Sequence, residues 1–209
     1  LEVGYRTIDD VKPNGLCGSG IIDAVAEMLR AKIITQEGSF NSGMASPRIR
    51  MNEKMLEFVI APKAEISMES DIVITQTDIR EVQLAKAAIY TGASILMKHM
   101  NVEPQEIQEI FIAGAFGNYV DPQSAKTIGM FPDVPLQNVR FVGNTAGSGA
   151  RMALLSTDVR ALAEEVAERI EYLELGVDPD FQKEFLKATY FPHKEVERFP
   201  NVMKSLRRN

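Results

Sequence analysis

Apolar positions fall into two rhythms along this chain. Ile21, Ile22, Val25, Met28 and Leu29 recur at intervals of three and four, which predicts a helix running to about Ala31 with Ser19 as its N-cap. Val82, Ala85, Ile89, Gly92 and Leu96 repeat the spacing and predict a longer helix capped by Thr77. Its middle carries Gly92, Ala93 and Ser94. A mid-helix glycine costs about 1 kcal/mol against alanine, so a close approach by another backbone is expected there. Between these helices, Gly38, Gly43 and Pro47 break the chain, and β-like pieces at Leu56 to Ala61 and Ile72 to Thr75 predict a small β-rich insertion over about 35–75.

Beyond the long helix the rhythm becomes strand, turn, helix. Residues 109–113 and 139–142 read as short apolar strands. Asp121-Pro122 opens a helix, with proline at its first position. Helices follow from about Met152 and over Ala161 to Ile170. A last strand is expected at Ile170 to Leu175 and a last helix at Asp180 to Lys187. This alternation predicts an α/β fold, a sheet flanked by helices.

Both strands end in glycine-rich turns, Gly114-Ala115-Phe116-Gly117 and Gly143-Asn144 with Gly147 and Gly149 close behind. Ligands of open α/β sheets sit beyond the carboxyl ends of strands. Glycine admits a ligand to the backbone, and helix-start amides favour an anion. The two turns together predict one nucleotide pocket, although glycines also serve simply to make tight turns. Gly15-Leu16-Cys17-Gly18-Ser19-Gly20 has the wrong order for a dinucleotide fingerprint and lacks the Gly-Lys-Ser/Thr of a phosphate loop. Gln83, Lys86 and Tyr90 share one stripe of the long helix. They suit a grip on adenine and ribose, or equally a solvated helix face.

Composition narrows the choices. The net charge of −6 lacks the basic face of a nucleic-acid binder. No apolar run approaches the roughly 20 residues of a membrane span, and no secretory leader is evident. A cytoplasmic setting is the expectation. The single Cys17 cannot by itself hold a cluster or a structural zinc. His99 and His193 lack companions at metal-ligand spacing, so packing or surface roles are expected. No catalytic triad is present, and no carboxylate is assigned to magnesium.

Three blocks carry a resemblance: Pro13 to Asp23, Ile110 to Gly117, and Phe141 to Asn144 followed by Gly149-Ala150 and Ala153 to Ser156. With the closing run from Asp178 to His193, they resemble the reductive activators of corrinoid proteins, in the actin-like ATPase superfamily. The resemblance implies a ribonuclease-H-like, actin-like lobe over residues 1–209, with a C-terminal extension over about 170–209. It implies ATP or ADP with magnesium, and an iron–sulfur cluster in a ferredoxin-like domain outside these residues. It implies a corrinoid protein as partner, reduced from cob(II) to cob(I) for methyl transfer such as O-demethylation. The other partners implied are an N-terminal lobe, the ferredoxin-like domain and a second copy. The adenosine motif falls on Gly114, Ala115, Phe116 and Gly117, with Ala115 where the wider superfamily has a second glycine. Gly143 and Asn144 complete the expected site, and Gln83, Lys86 and Tyr90 fall on the helix that contacts adenosine. A sugar or acyl kinase lobe and a dimerisation module using the Gly92-Ala93-Ser94 stripe are the competing readings.

Overall fold

The computed structural model describes residues 2–114 and 119–208. Helix α1 (Gly18–Arg30) buries Ile22, Val25, Ala26, Met28 and Leu29 on one face. Its N-cap is Cys17 rather than Ser19: the Cys17 thiol accepts the Gly20 amide, and Ser19 is already inside the helix. An antiparallel sheet follows in the order β1 (Ile49–Asn52), β2 (Met55–Ala61), β3 (Ile72–Thr75). β2 and β3 lie where the alternation placed them. β1 lies outside the expected strands: it is a four-residue, mostly exposed edge strand, tied down by Arg50 pairing with Glu57 and Asp71 at 2.7 and 2.6 Å.

Helix α2 (Gln76–Met100) is capped by Thr75, two residues before the expected Thr77. Thr75 accepts the Asp78 amide, and the Asp78 carboxylate accepts the Thr75 amide. Such a reciprocal capping box satisfies two otherwise orphaned donors. Strands β4 (Ile110–Ala113) and β5 (Val139–Gly143) form a separate parallel pair, joined through the short helix α3 (Pro122–Thr127), whose N-cap is Asp121. Helices α4 (Thr145–Leu155) and α5 (Thr157–Arg169) come next.

The expected strand at Ile170 to Leu175 is absent: this segment is extended coil ending in a 3₁₀ turn at Leu175–Val177. Its β-branched and aromatic residues lack a neighbouring strand, and Ile170 and Tyr172 stay exposed. Helix α6 (Phe181–Ala188) matches expectation within a residue, and a further helix, α7 (Pro200–Arg208), closes the chain.

One core joins α1, β2, β3, the start of α2 and the segment from Val120 to Val139; Phe191 of the C-terminal extension plugs into it. A second, smaller cluster joins Ala87 and Tyr90 of α2 to Ala188, Phe199 and Val202. The small stripe of α2 serves this packing. Ser94 Oγ donates to Glu184 Oε1 at 2.7 Å, and a methyl at Gly92 would sit 3.4 Å from Leu175 Cδ1. The expected approach of another backbone is not what Gly92 meets: the neighbours of the stripe are side chains, Leu175 and Glu184, from later in the same chain.

Candidate functional site

β4 and β5 run parallel, so their carboxyl ends lie side by side. The Gly114 amide donates to the Gly143 carbonyl at 2.8 Å, fastening the two turns together where the strands finish. Gly114 adopts φ 99°, a region L side chains rarely enter, and among the described residues nothing lies within 4 Å of where its Cβ would be. Glycine here is required by the backbone, and the space above it is open. Asn144 follows directly and accepts the Gly147 amide through Oδ1 at 2.9 Å, capping α4. The first turn of α4 is exposed, so its orphan amides face solvent beside the Gly114–Gly143 junction. Gly114, Gly143 and Asn144 are thus brought together. Ala115, Phe116 and Gly117 lie outside the described residues.

Gln83, Lys86 and Tyr90 are placed elsewhere. All three are buried, which rules out the solvated-face alternative, and Gln83 and Lys86 bond to backbone carbonyls of residues 189–192. Gln83 Nε2 donates to Glu37 O at 3.0 Å and Thr189 O at 2.6 Å. Lys86 Nζ, on a side chain 0% exposed, donates to Tyr190 O and Pro192 O, both at 2.6 Å. Burial pushes its pKa well below the usual lysine value. Tyr90 packs against the rings of His193 and Phe199, at centroid distances of 5.2 and 5.4 Å. The spacing found a shared stripe. What it misses is that the stripe grips a strap over residues 189–193, which closes onto α2 from about a hundred residues away in sequence. The one clue was the unusual choice of Gln and Lys on the packed side of a helix.

The groups that could hold a metal are sparse. Among the described residues no cluster of three or more His, Cys, Asp or Glu side chains is placed to bind one. Asp121 is occupied by capping, accepting the Ser124 amide at 2.7 Å. One cysteine does not fit an iron–sulfur cluster, and no step is assigned to one within these residues. His193 is buried, and its Nδ1 accepts the Glu195 amide at 3.0 Å. Among the described residues no helix is long and apolar enough to cross a membrane.

A helix-flanked α/β chain, with a parallel strand pair whose carboxyl ends carry fastened glycine turns, defines an actin-like lobe. Comparison with known proteins makes this specific. The family model described as the C-terminal domain of RACo, the ASKHA domain, matches residues 1–203, and the chain belongs to that family. Its sequence is 38% identical over 197 residues to the corrinoid activation enzyme RamQ of Eubacterium limosum, covering 91% of this chain and 33% of that protein. It is 24% identical over 174 residues to a Co(II) methylated amine-specific corrinoid protein reductase of Methanosarcina barkeri, covering 82% of this chain and 28% of that protein. Among solved structures, a reductive activator for corrinoid, iron-sulfur protein superposes with a TM-score of 0.89 at 40% identity, over 96% of this chain and 32% of that one. The chain spans about a third of the length of these relatives.

Proposed function

We propose that these residues form the nucleotide-binding C-terminal lobe of an ATP-dependent enzyme that reduces a cob(II) corrinoid cofactor on a partner protein to cob(I). The observation that carries this reading is the fastened pair of strand-end turns, with open space above Gly114, in a chain of the corrinoid-activator family. The Gly114 backbone lets an adenosine approach the strand end without meeting a side chain. The exposed amides of the α4 start, ordered by the Asn144 cap, favour the negative side of the ligand. ATP, with magnesium, supplies the driving energy. Acidic groups for the metal and thiolates for an iron–sulfur cluster come from other parts of the polypeptide. In the full activator an iron–sulfur cluster would supply the low-potential electron for the cob(I) state that accepts methyl groups in reactions such as O-demethylation; no set of the described residues fits it. Nucleotide binding biases the activator toward docking the corrinoid partner, by its differential affinity for the two states. A cytoplasmic setting agrees with the single thiol and with the reducing chemistry.

The test uses the full polypeptide with a cob(II) corrinoid protein, a low-potential reductant and ATP. Cob(I) absorbance should grow in with ATP and not without it; no ATP-dependent cob(I) overturns the reading. Gly114→Val should weaken ATP binding at least tenfold, about 1.4 kcal/mol, because a branched side chain is forced into both a strained backbone and the ligand's space. Unchanged affinity in a folded Gly114→Val protein would remove this turn from the site.

A further inference from the structure

A cavity of about 510 Å³ opens where α2, α6 and the strap meet. Its volume is within the range of small-molecule sites. Its most buried wall is Gln83, which is held from both ends: Nε2 donates to the Glu37 and Thr189 carbonyls, and Oε1 accepts Arg80 Nη1 at 3.0 Å. Around it stand four cations from three segments: Arg80 of α2, Lys183 and Lys187 of α6, and Lys194 just beyond the strap. The Lys194 amide donates to the Lys187 carbonyl at 3.0 Å, fastening that segment to the end of α6. No residue of the Gly114–Gly143 junction lines this cavity.

Gathering these charges runs against local electrostatics. Lys183 and Lys187 stand at i and i+4 on one helix, a like-charge pair that destabilises it. The helix dipole favours Lys187, in the last turn of α6, and does nothing for Lys183, Arg80 or Lys194. Lys187 is neutralised by Glu195. Arg80, Lys183 and Lys194 make no ion pair among the described residues; Lys194 Nζ lies 5.7 Å over the Tyr190 ring instead. Glu37 is the one carboxylate among the lining residues. Three such cations against one carboxylate leave a surplus of two positive charges around one cavity. A phosphate group carries nearly two negative charges at neutral pH, and an arginine offers its oxygens a fork of donors.

We propose that this cavity binds a phosphate dianion, free or as a monoester, and that the bound anion pins the strap to α2 and α6. The anion sits among Arg80, Lys183 and Lys194 and so bridges the three segments that meet there. Thr189, Tyr190 and Lys194 reach the cavity only with the strap in place, so the ligand binds the closed form and stabilises it by mass action. The site does not rest on the nucleotide reading of the Gly114 turn.

Calorimetric titration of the full polypeptide with inorganic phosphate and with glycerol phosphate, at constant ionic strength and with chloride as the control, tests it. At least one should bind, and the tighter of the two tells a free source from an esterified one. Lys183→Gln and Lys194→Gln, at exposed positions, should each weaken binding about tenfold, the loss expected of a charge-assisted hydrogen bond. Glu37→Gln should tighten binding, because it removes the one opposing charge. At about ten times its Kd the anion should slow cleavage after Tyr190 roughly tenfold, as a ligand of the closed form alone does. Gly114→Val should leave all of these unchanged, so the failure of this site and that of the nucleotide site are read separately. An equal effect of chloride, unaltered affinity in both lysine variants, or weaker binding in Glu37→Gln would overturn the proposal.

Discussion

A thiol stands at Cys17 where helix starts usually carry a hydroxyl or a carboxylate. Its contact with Ser19 Oγ at 3.2 Å, and then the Gly20 amide, hold its pKa below the usual thiol value. Cys17 is exposed, so the pH midpoint of its alkylation should fall below that of an ordinary thiol, and Ser19→Ala should move it back up. His193 titrates the other way in its consequences. Burial, and then the Arg198 charge, push its pKa down to about 4, so its 3.8 Å approach to Glu184 is not an ion pair at neutral pH. The unfolded histidine takes up its proton near 6.5 and the folded one only near 4. Between these values the unfolded state binds more protons, so stability rises with pH. The contribution is fully present above about pH 6.5 and lost as pH falls through about 4. Denaturant titrations at pH 7 and pH 4.5 should differ more for the native protein than for His193→Gln. The packing role expected of His193 from its isolation in sequence is the one the structure gives it. The buried state of Lys86 was not legible, because helical spacing says which residues share a face and not what arrives to cover them.

At the scale of elements, the join between α2 and the strap is where stability concentrates. Two buried carbonyls depend on Lys86, and removing a partner from a buried acceptor costs about 1–3 kcal/mol. Lys86→Met should therefore lower stability by about 2–4 kcal/mol, or roughly 2–4 °C of Tm per kcal/mol in a protein of this size. Gly129 is the counterpart from the other side: at φ 76°, its added methyl would meet the Pro192 carbonyl at 2.1 Å. Gly129→Ala should destabilise by at least ~2 kcal/mol and should loosen the strap, read as faster proteolysis after Tyr190. Elements with their own periodicity and caps, such as α1, α2 and the β2–β3 hairpin, were legible within two residues. β1 and α7 were not: β1 is only four residues long and mostly exposed, and α7 is held by a distant group, the Asp133 carboxylate accepting the Asn201 amide at 2.7 Å. The Ile170 to Leu175 run shows the converse. Strand-like composition without a neighbour to bond produces coil.

At the scale of the whole molecule, the sequence indicated the α/β class and the meeting of the Gly114 and Gly143 turns, because a strand–helix–strand crossover forces parallel ends together. The division into two sheets was not legible, since which strands pair depends on contacts far apart in sequence. The strap has a further consequence, for how the protein is made. Lys86 and Gln83 receive carbonyl partners from residues 189–192, about a hundred residues later in sequence. During translation α2 emerges long before those carbonyls do, and domains fold as units as they leave the ribosome. This one stays open along the Gln83–Tyr90 stripe until residues 189–192 have emerged. Nascent chains stalled before Thr189 should bind chaperones and be cut within α2, and chains stalled on a linker beyond Arg208 should resist both.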